Sequence, residues 1–193
     1  MFKQFLIYIF LVLISNAHAS NKDKIIENLK NTKNLNFDFE QNINGKVEIG
    51  NCSIKYPKKI YCKYQKNNKI LVSNGKSLVI KTITSFYRYP LNKTPLNLIL
   101  DKNFLIEKIV NLKEKILDKT YINFEIVEND SEINIFFDNK TFNLVGWQTK
   151  DIYQNINVTY LSSININQPV DKNLSRKSYK VYEALIANSF GIH

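Results

Sequence analysis

Between Gly45 and Gly75 apolar and polar residues alternate around a central turn, first as Cys52-Ser53-Ile54-Lys55-Tyr56 and then as Ile60-Tyr61-Cys62-Lys63-Tyr64. Taken two by two, Cys52, Ile54, Tyr56, Ile60, Cys62 and Tyr64 share one face. Asn51, Ser53, Lys55, Lys59, Tyr61, Lys63 and Gln65 share the other. A period of two with one apolar and one wet face predicts a half-buried antiparallel hairpin. Pro57 fixes its own φ and biases Tyr56 towards extended backbone, so a turn at 56–58 is expected. That turn sets Cys52 opposite Cys62, within bridging range for a disulfide.

The same alternation recurs along the chain. Asn34 to Gln41 predicts a strand with Leu35, Phe37 and Phe39 on one face. Ile70–Ser73 and Ser77–Ile80 flank Asn74-Gly75, a strong hairpin signal. Thr84 to Leu91 reads as an extended, Tyr-rich segment. Tyr121–Val127 places Ile122, Phe124 and Ile126 together, and Glu132–Phe137 does the same for Ile133, Ile135 and Phe137. Asp138-Asn139-Lys140 reads as a turn, and Thr141–Trp147 and Ile152–Tyr160 complete a meander typical of a mainly β barrel or sandwich. Helical spacing is confined to a few places. Asp23 to Asn34 has an apolar stripe of Ile25, Ile26 and Leu29 with charges suited to the helix dipole. Thr94-Pro95 predicts the N-cap and first residue of a short apolar helix through Leu100. From Asn103 to Asp118 the apolar positions fit helix period better than strand period. Ser175–Phe190 reads either as a terminal helix or as an unstructured tail.

The N-terminus changes the picture of where the protein works. Lys3, an uncharged apolar run from Phe5 to Ile14, and Ala17-His18-Ala19 make a secretory signal over residues 1–19, cut before Ser20. The run is short for a membrane span. A soluble exported protein is expected, with a domain over residues 20–170 and an extension over residues 171–193. The chain of 193 residues carries a formal net charge of +10, and removal of the signal lowers it by the single charge of Lys3. Its lysines are scattered and no groove-reading motif accompanies them, which argues against nucleic acid as a partner. An acidic polymer or partner surface stays open as a reading. Two cysteines in an exported chain suit one structural disulfide.

The residue inventory gives little for catalysis. After the signal one histidine remains, His193 at the end of the chain, so nucleophile–imidazole pairs and zinc sites lack a framework, and no metal or cofactor is expected. Among carboxylates, Glu125 with Glu128 and Asp138 with Asp151 are the candidate pairs, but alternation puts Glu125 on the wet face. No enzymatic activity is expected. What the pattern leaves is an apolar face that short helices either plug as filled core or cover as a lid over a cavity for acyl chains. Pattern alone favours the filled core.

Several ordered blocks carry a resemblance. Leu35-Asn36-Phe37-Asp38-Phe39-Glu40-Gln41, Ile54-Lys55-Tyr56-Pro57-Lys58-Lys59-Ile60, Ile70 to Leu78, Leu91 to Leu100 with its Thr94-Pro95, and Leu144 to Asp151 around Trp147 together resemble the LolA family, the periplasmic carriers of outer-membrane lipoproteins. The resemblance implies an open antiparallel half-barrel whose apolar concave face is covered by short helices. It implies a periplasmic monomer that binds acyl chains, loads from an inner-membrane ABC transporter and delivers to an outer-membrane acceptor lipoprotein of similar fold. A lipid cargo other than lipoprotein, phospholipid or glycolipid, is the alternative. Cavity and lid residues expected on this basis are Ile54, Tyr56, Ile60, Tyr64, Leu96, Ile99, Ile122, Phe124, Ile126, Ile133, Ile135 and Phe137. The family holds its closed state with an arginine just before the turn proline. That position is Tyr56 here, a single neutral donor in place of a charged fork.

Overall fold

The computed structural model describes residues 19–128, 131–150 and 155–168. The signal over residues 1–19, apart from Ala19, and the extension over residues 171–193 with its candidate helix lie outside them. Eleven antiparallel strands form one open sheet: β1 (Asn34–Ile43), β2 (Lys46–Lys55), β3 (Lys59–Tyr64), β4 (Ile70–Asn74), β5 (Ser77–Lys81), β6 (Phe86–Pro90), β7 (Lys115–Leu117), β8 (Tyr121–Glu128), β9 (Ser131–Asp138), β10 (Leu144–Lys150) and β11 (Ile156–Ile166). Their spatial order is β6-β5-β4-β3-β2-β1-β11-β10-β9-β8-β7. Two meanders are thus joined at the middle by β1 against β11, and β6 and β7 become the two outer edges. The chain between those edges, residues 91–114, has to cross a whole face of the sheet. It does so as a 3-10 turn (Leu91–Lys93), a four-residue helix and a longer one, and with the N-terminal helix these cover the apolar face.

Local chemistry explains most element ends. Helix α1 (Asn21–Asn31) begins at a capping box: Asp23 N–H donates to Ser20 Oγ at 3.2 Å while the Asp23 carboxylate accepts from Ser20 N–H at 3.1 Å. The helix therefore starts two residues before the apolar stripe suggests and ends three residues sooner. The β1–β2 turn is two residues, Asn44 and Gly45, both at positive φ, as a tight hairpin requires. In β2–β3, Cys52 faces Cys62 and Ile54 faces Ile60, and the disulfide is formed. The Tyr56–Pro57 bond is cis.

Four local expectations are revised. Thr94 does not cap the short helix α2 (Leu96–Ile99); its hydroxyl donates back to Leu91 O at 2.8 Å and closes the 3-10 turn, and Pro95 takes the cap position without a side-chain bond. Helix α3 (Lys102–Asn111) stops well before Asp118, because Asp118 and Lys119 adopt positive φ and fold Lys115–Leu117 back onto β8. Strand β10 starts at Leu144 because Asp138 holds Thr141 in the preceding turn, accepting from its N–H at 2.6 Å and its hydroxyl at 2.8 Å. In β11 the pairing continues to Ile166, beyond Tyr160; residues 151–154 are outside the described part.

Burial follows the alternation. Leu35, Phe37 and Phe39 of β1, the inward residues of β2 and β3, and Ile122, Phe124, Ile126, Ile133, Ile135 and Phe137 of β8 and β9 join Ile25 and Leu29 of α1 and Leu105 and Ile109 of α3 in one apolar core. At roughly 25 cal/mol per Å² of apolar area removed from water, such a core is the main stabilising term.

Candidate functional site

The sheet face under the helices divides into two regions. Beneath α1 and α3 it is filled: Ile122, Phe124, Ile126, Ile133, Ile135 and Phe137 are each at most 1% exposed, and Phe124 meets Phe137 edge-on at 6.0 Å. Beneath α2 it is not. A cavity of about 250 Å³ opens there between β1–β5 and β10–β11. Ile60, Leu71, Leu78, Ile80 and the Cys52–Cys62 bridge form its floor, Phe39 and Trp147 one flank, and Leu96 and Ile99 of α2 its roof.

Stacked aromatics shape this space. The Phe39 and Tyr64 rings meet edge-on at 4.9 Å, and Phe37 packs edge-on against Trp147 at 6.4 Å. Phe39 can lie so close to β2 only because residue 50 is glycine; a Cβ there would stand 2.8 Å from the ring. One end of the cavity is polar. Tyr64 Oη donates to Gln41 Oε1 at 3.2 Å, and Gln41 Nε2 donates to Asn157 Oδ1 at 3.0 Å and Thr159 Oγ1 at 3.3 Å. Lys69 lies over the Tyr64 ring at 4.0 Å and pairs with Glu48 at 2.5 Å. Burial, and then the Glu48 charge, push the Tyr64 hydroxyl above its ordinary pKa, so it stays a neutral donor. The arrangement suits an amphiphile with a long apolar part and an uncharged, hydrogen-bonding junction.

The roof is tied to the β2–β3 turn. Lys58 N–H donates to Leu100 O at 2.9 Å, just past α2, and Lys58 Nζ lies 3.1 Å from Asp101. Tyr56, where the resemblance places the latching side chain, has its hydroxyl buried without a hydrogen-bond partner, and burial raises its pKa. The closing contacts come from Lys58, two residues later.

Of the twelve residues expected at the cavity and lid, Ile60, Tyr64, Leu96 and Ile99 line the cavity. Ile54, Tyr56, Ile122, Phe124, Ile126, Ile133, Ile135 and Phe137 lie in the packed core and do not. Sequence reasoning missed Leu71, Ile80 and Trp147, although Leu71 and Ile80 sit in a hairpin it recognised; the register that sets Leu71 beside Cys62 of β3 and Ile80 beside Leu71 was the signal. It also missed the polar end, whose residues come together only through the pairing of β1 with β11.

Of the candidate carboxylates, Glu125 and Glu128 are held in ion pairs and Asp138 in a turn. Glu125 accepts from Lys115 at 2.6 Å, which holds its pKa below the usual range, and Glu128 accepts from Lys108 at 2.7 Å. Asp151 is outside the described residues. Among those described, no three His, Cys, Asp or Glu side chains gather to hold a metal, and no helix is long and apolar enough to cross a membrane.

The sequence model of the family described as outer membrane lipoprotein carrier protein LolA matches residues 24–175. The chain belongs to the LolA family. LolA proteins are periplasmic carriers rather than enzymes. No curated protein sequence matches the chain. Solved structures similar to it include a LolA superfamily protein from Nitrosomonas europaea, at 10% identity and a TM-score of 0.41, covering 80% of this chain and 97% of that one. An uncharacterized conserved protein from Thermus thermophilus is similar at 7% identity and a TM-score of 0.48, covering 80% and 91%. An outer membrane lipoprotein-sorting protein domain from Vibrio parahaemolyticus is similar at 8% identity and a TM-score of 0.42, covering 81% and 96%. Within this LolA fold, the cavity under α2 is the candidate site.

Proposed function

We propose that this protein carries lipoproteins through the periplasm by sheltering their acyl chains in the cavity under α2. It would take cargo from an inner-membrane ABC transporter and pass it to an outer-membrane acceptor lipoprotein. The observation that carries the reading is a cavity with an apolar floor and roof beside a filled core of the same composition. Burial contributes roughly 0.8 kcal/mol per CH₂, so even part of one acyl chain gives a substantial driving force. At about 250 Å³ the cavity is below the roughly 300–1,000 Å³ of ligand pockets. Loading full chains therefore requires α2 to lift, and a roof of four residues tied at one end suits reversible opening. We assign acyl contact to Ile60, Tyr64, Leu96 and Ile99 with Leu71, Leu78 and Trp147. The other eight expected residues would meet cargo only if the core itself opened.

The test is to purify the protein from a periplasm, identify what travels with it by native mass spectrometry, and titrate a fluorescent acyl probe. Acylated protein is expected with the wild type. Leu71→Trp, which fills the cavity, and Ile99→Asp, whose carboxylate cannot stay buried in the roof, are expected to lose cargo while circular dichroism shows a retained β fold. Phospholipid as the only companion would replace lipoprotein by a lipid cargo. Undiminished probe binding by a folded Leu71→Trp protein would remove the cavity from the mechanism.

A further inference from the structure

Beside the cavity, β3 leaves the sheet before β2 ends. Strand β2 runs from Lys46 to Lys55, but its pairing with β3 stops at Gly50 opposite Tyr64. The chain then turns away through residues 65–69 to start β4. Below that point, among the described residues, the β3 side of β2 is an open edge. It forms a notch of about 170 Å³ lined by Val47, Glu48, Ile49, Tyr64 and Lys66.

The direction of the backbone groups on this edge follows from the hairpin. Ile43 and Lys46 close the two-residue β1–β2 turn and are a hydrogen-bonded pair, so pairing alternates and the N–H and C=O of Val47 and Ile49 point away from β1. Ile49 agrees: its carbonyl accepts from Gln65 N–H at 2.9 Å on the β3 side. Val47 is one step further out, and among the described residues nothing hydrogen-bonds its backbone N–H or C=O on that side. Its side chain and that of Ile49 are exposed at 47% and 39%. An open strand edge with exposed branched apolar side chains is a template for another extended backbone.

The notch adjoins the cavity: Tyr64 lines both, and the Lys69–Glu48 pair stands between them. A chain leaving the cavity on the Tyr64 side would meet the β2 edge. We propose that the notch receives the extended polypeptide that follows the acylated residue of the cargo, added as a short strand against Val47. A lipid headgroup offers no N–H and C=O at strand spacing, so the notch would favour acylated protein over free lipid. This rests on the reading of the cavity as the acyl site.

The experiment compares the affinities of the purified protein for a diacylated cysteinyl peptide and for the same diacylated cysteine without the peptide. The lipopeptide is expected to bind about tenfold more tightly, the worth of two modest backbone hydrogen bonds. Val47→Pro removes one donor at an edge position where proline is tolerated, and N-methylation of alternate peptide nitrogens removes donors from the ligand without touching the protein. Each change removes one of the two bonds and is expected to lower the peptide advantage to about threefold, both together to bring the lipopeptide down to the acyl-only affinity, and neither to alter acyl-only binding. Equal affinity of the two probes, or a peptide advantage that neither change diminishes, would overturn the proposal. If neither probe binds, the acyl reading of the cavity falls first. Should Val47→Pro unfold, the N-methylated ligand decides alone.

Discussion

The backbone N–H of Lys58, in the β2–β3 turn, donates to the carbonyl of Leu100 at 2.9 Å, and so joins the floor of the cavity to its roof. Lys58 holds a φ of +62°, which aims its N–H at the helical segment, and its ammonium reaches Asp101 at 3.1 Å. Asp101 has a second task, accepting from Phe104 N–H at 3.2 Å as the N-cap of α3. One turn and one carboxylate thus fix the point where α2 meets α3.

Asp101→Ala removes both cap and ion pair and is expected to cost about 1–2 kcal/mol. Asp101→Asn retains a capping oxygen and loses only a partly exposed ion pair, with an expected cost below about 1 kcal/mol. Urea unfolding measures both. The alanine variant is also expected to exchange a bound acyl probe faster than wild type. Unfolding midpoints that match wild type in both variants would show that the tether does not hold the roof.

Tyr56→Phe is expected to be neutral or stabilising by up to about 1 kcal/mol. The hydroxyl is buried and unpartnered, so its removal relieves a desolvation penalty without breaking a bond. A loss of more than about 1 kcal/mol would mean that this hydroxyl is hydrogen-bonded in solution and acts as a latch after all.

Gly50→Ala is expected to destabilise the protein by about 1–3 kcal/mol. Its Cβ would stand 2.8 Å from the Phe39 ring and also clash with the Lys63 carbonyl oxygen, which belongs to the backbone and cannot swing aside. Pairing the change with Phe39→Leu should recover part of the loss, because the ring clash disappears while the carbonyl clash stays. Thermal melts of the two variants test this, and an unaltered Gly50→Ala would show that the strands separate easily here.

Asp138 gives the fold an acid-sensitive joint. Hydrogen bonds from the Thr141 N–H, and further ones from the Thr141 hydroxyl and the Lys140 N–H, hold its pKa below its ordinary 3.8. The folded state therefore binds this proton less readily than the unfolded chain. The contribution is complete above about pH 4 and is lost as pH falls through the folded value. In Asp138→Asn the fall in stability below pH 4 should be shallower than in wild type. Identical acid limbs would assign that fall to other carboxylates.

Sequence alone determined which residues share a face and how the central hairpin is registered. Alternation in 51–65, with Pro57 at its centre, sufficed to set Cys52 against Cys62, because side-chain direction and pairing in a hairpin are local properties of the backbone. It did not determine which apolar residues bound a cavity. Ile60 and Ile135 have the same periodicity and the same inward direction, yet one faces open space and the other is sealed. The difference lies in what surrounds each: Ile60 shares a cavity with Leu96 and Ile99 of α2, while Ile135 is sealed in the core that α1 and α3 complete. That choice was made when residues 91–114 crossed from one sheet edge to the other. The polar end at Gln41, Asn157 and Thr159, and the open edge at Val47, were likewise decided by tertiary structure. Both depend on where distant strands begin to pair and where they stop, and alternation within one segment carries no record of its neighbours' ends.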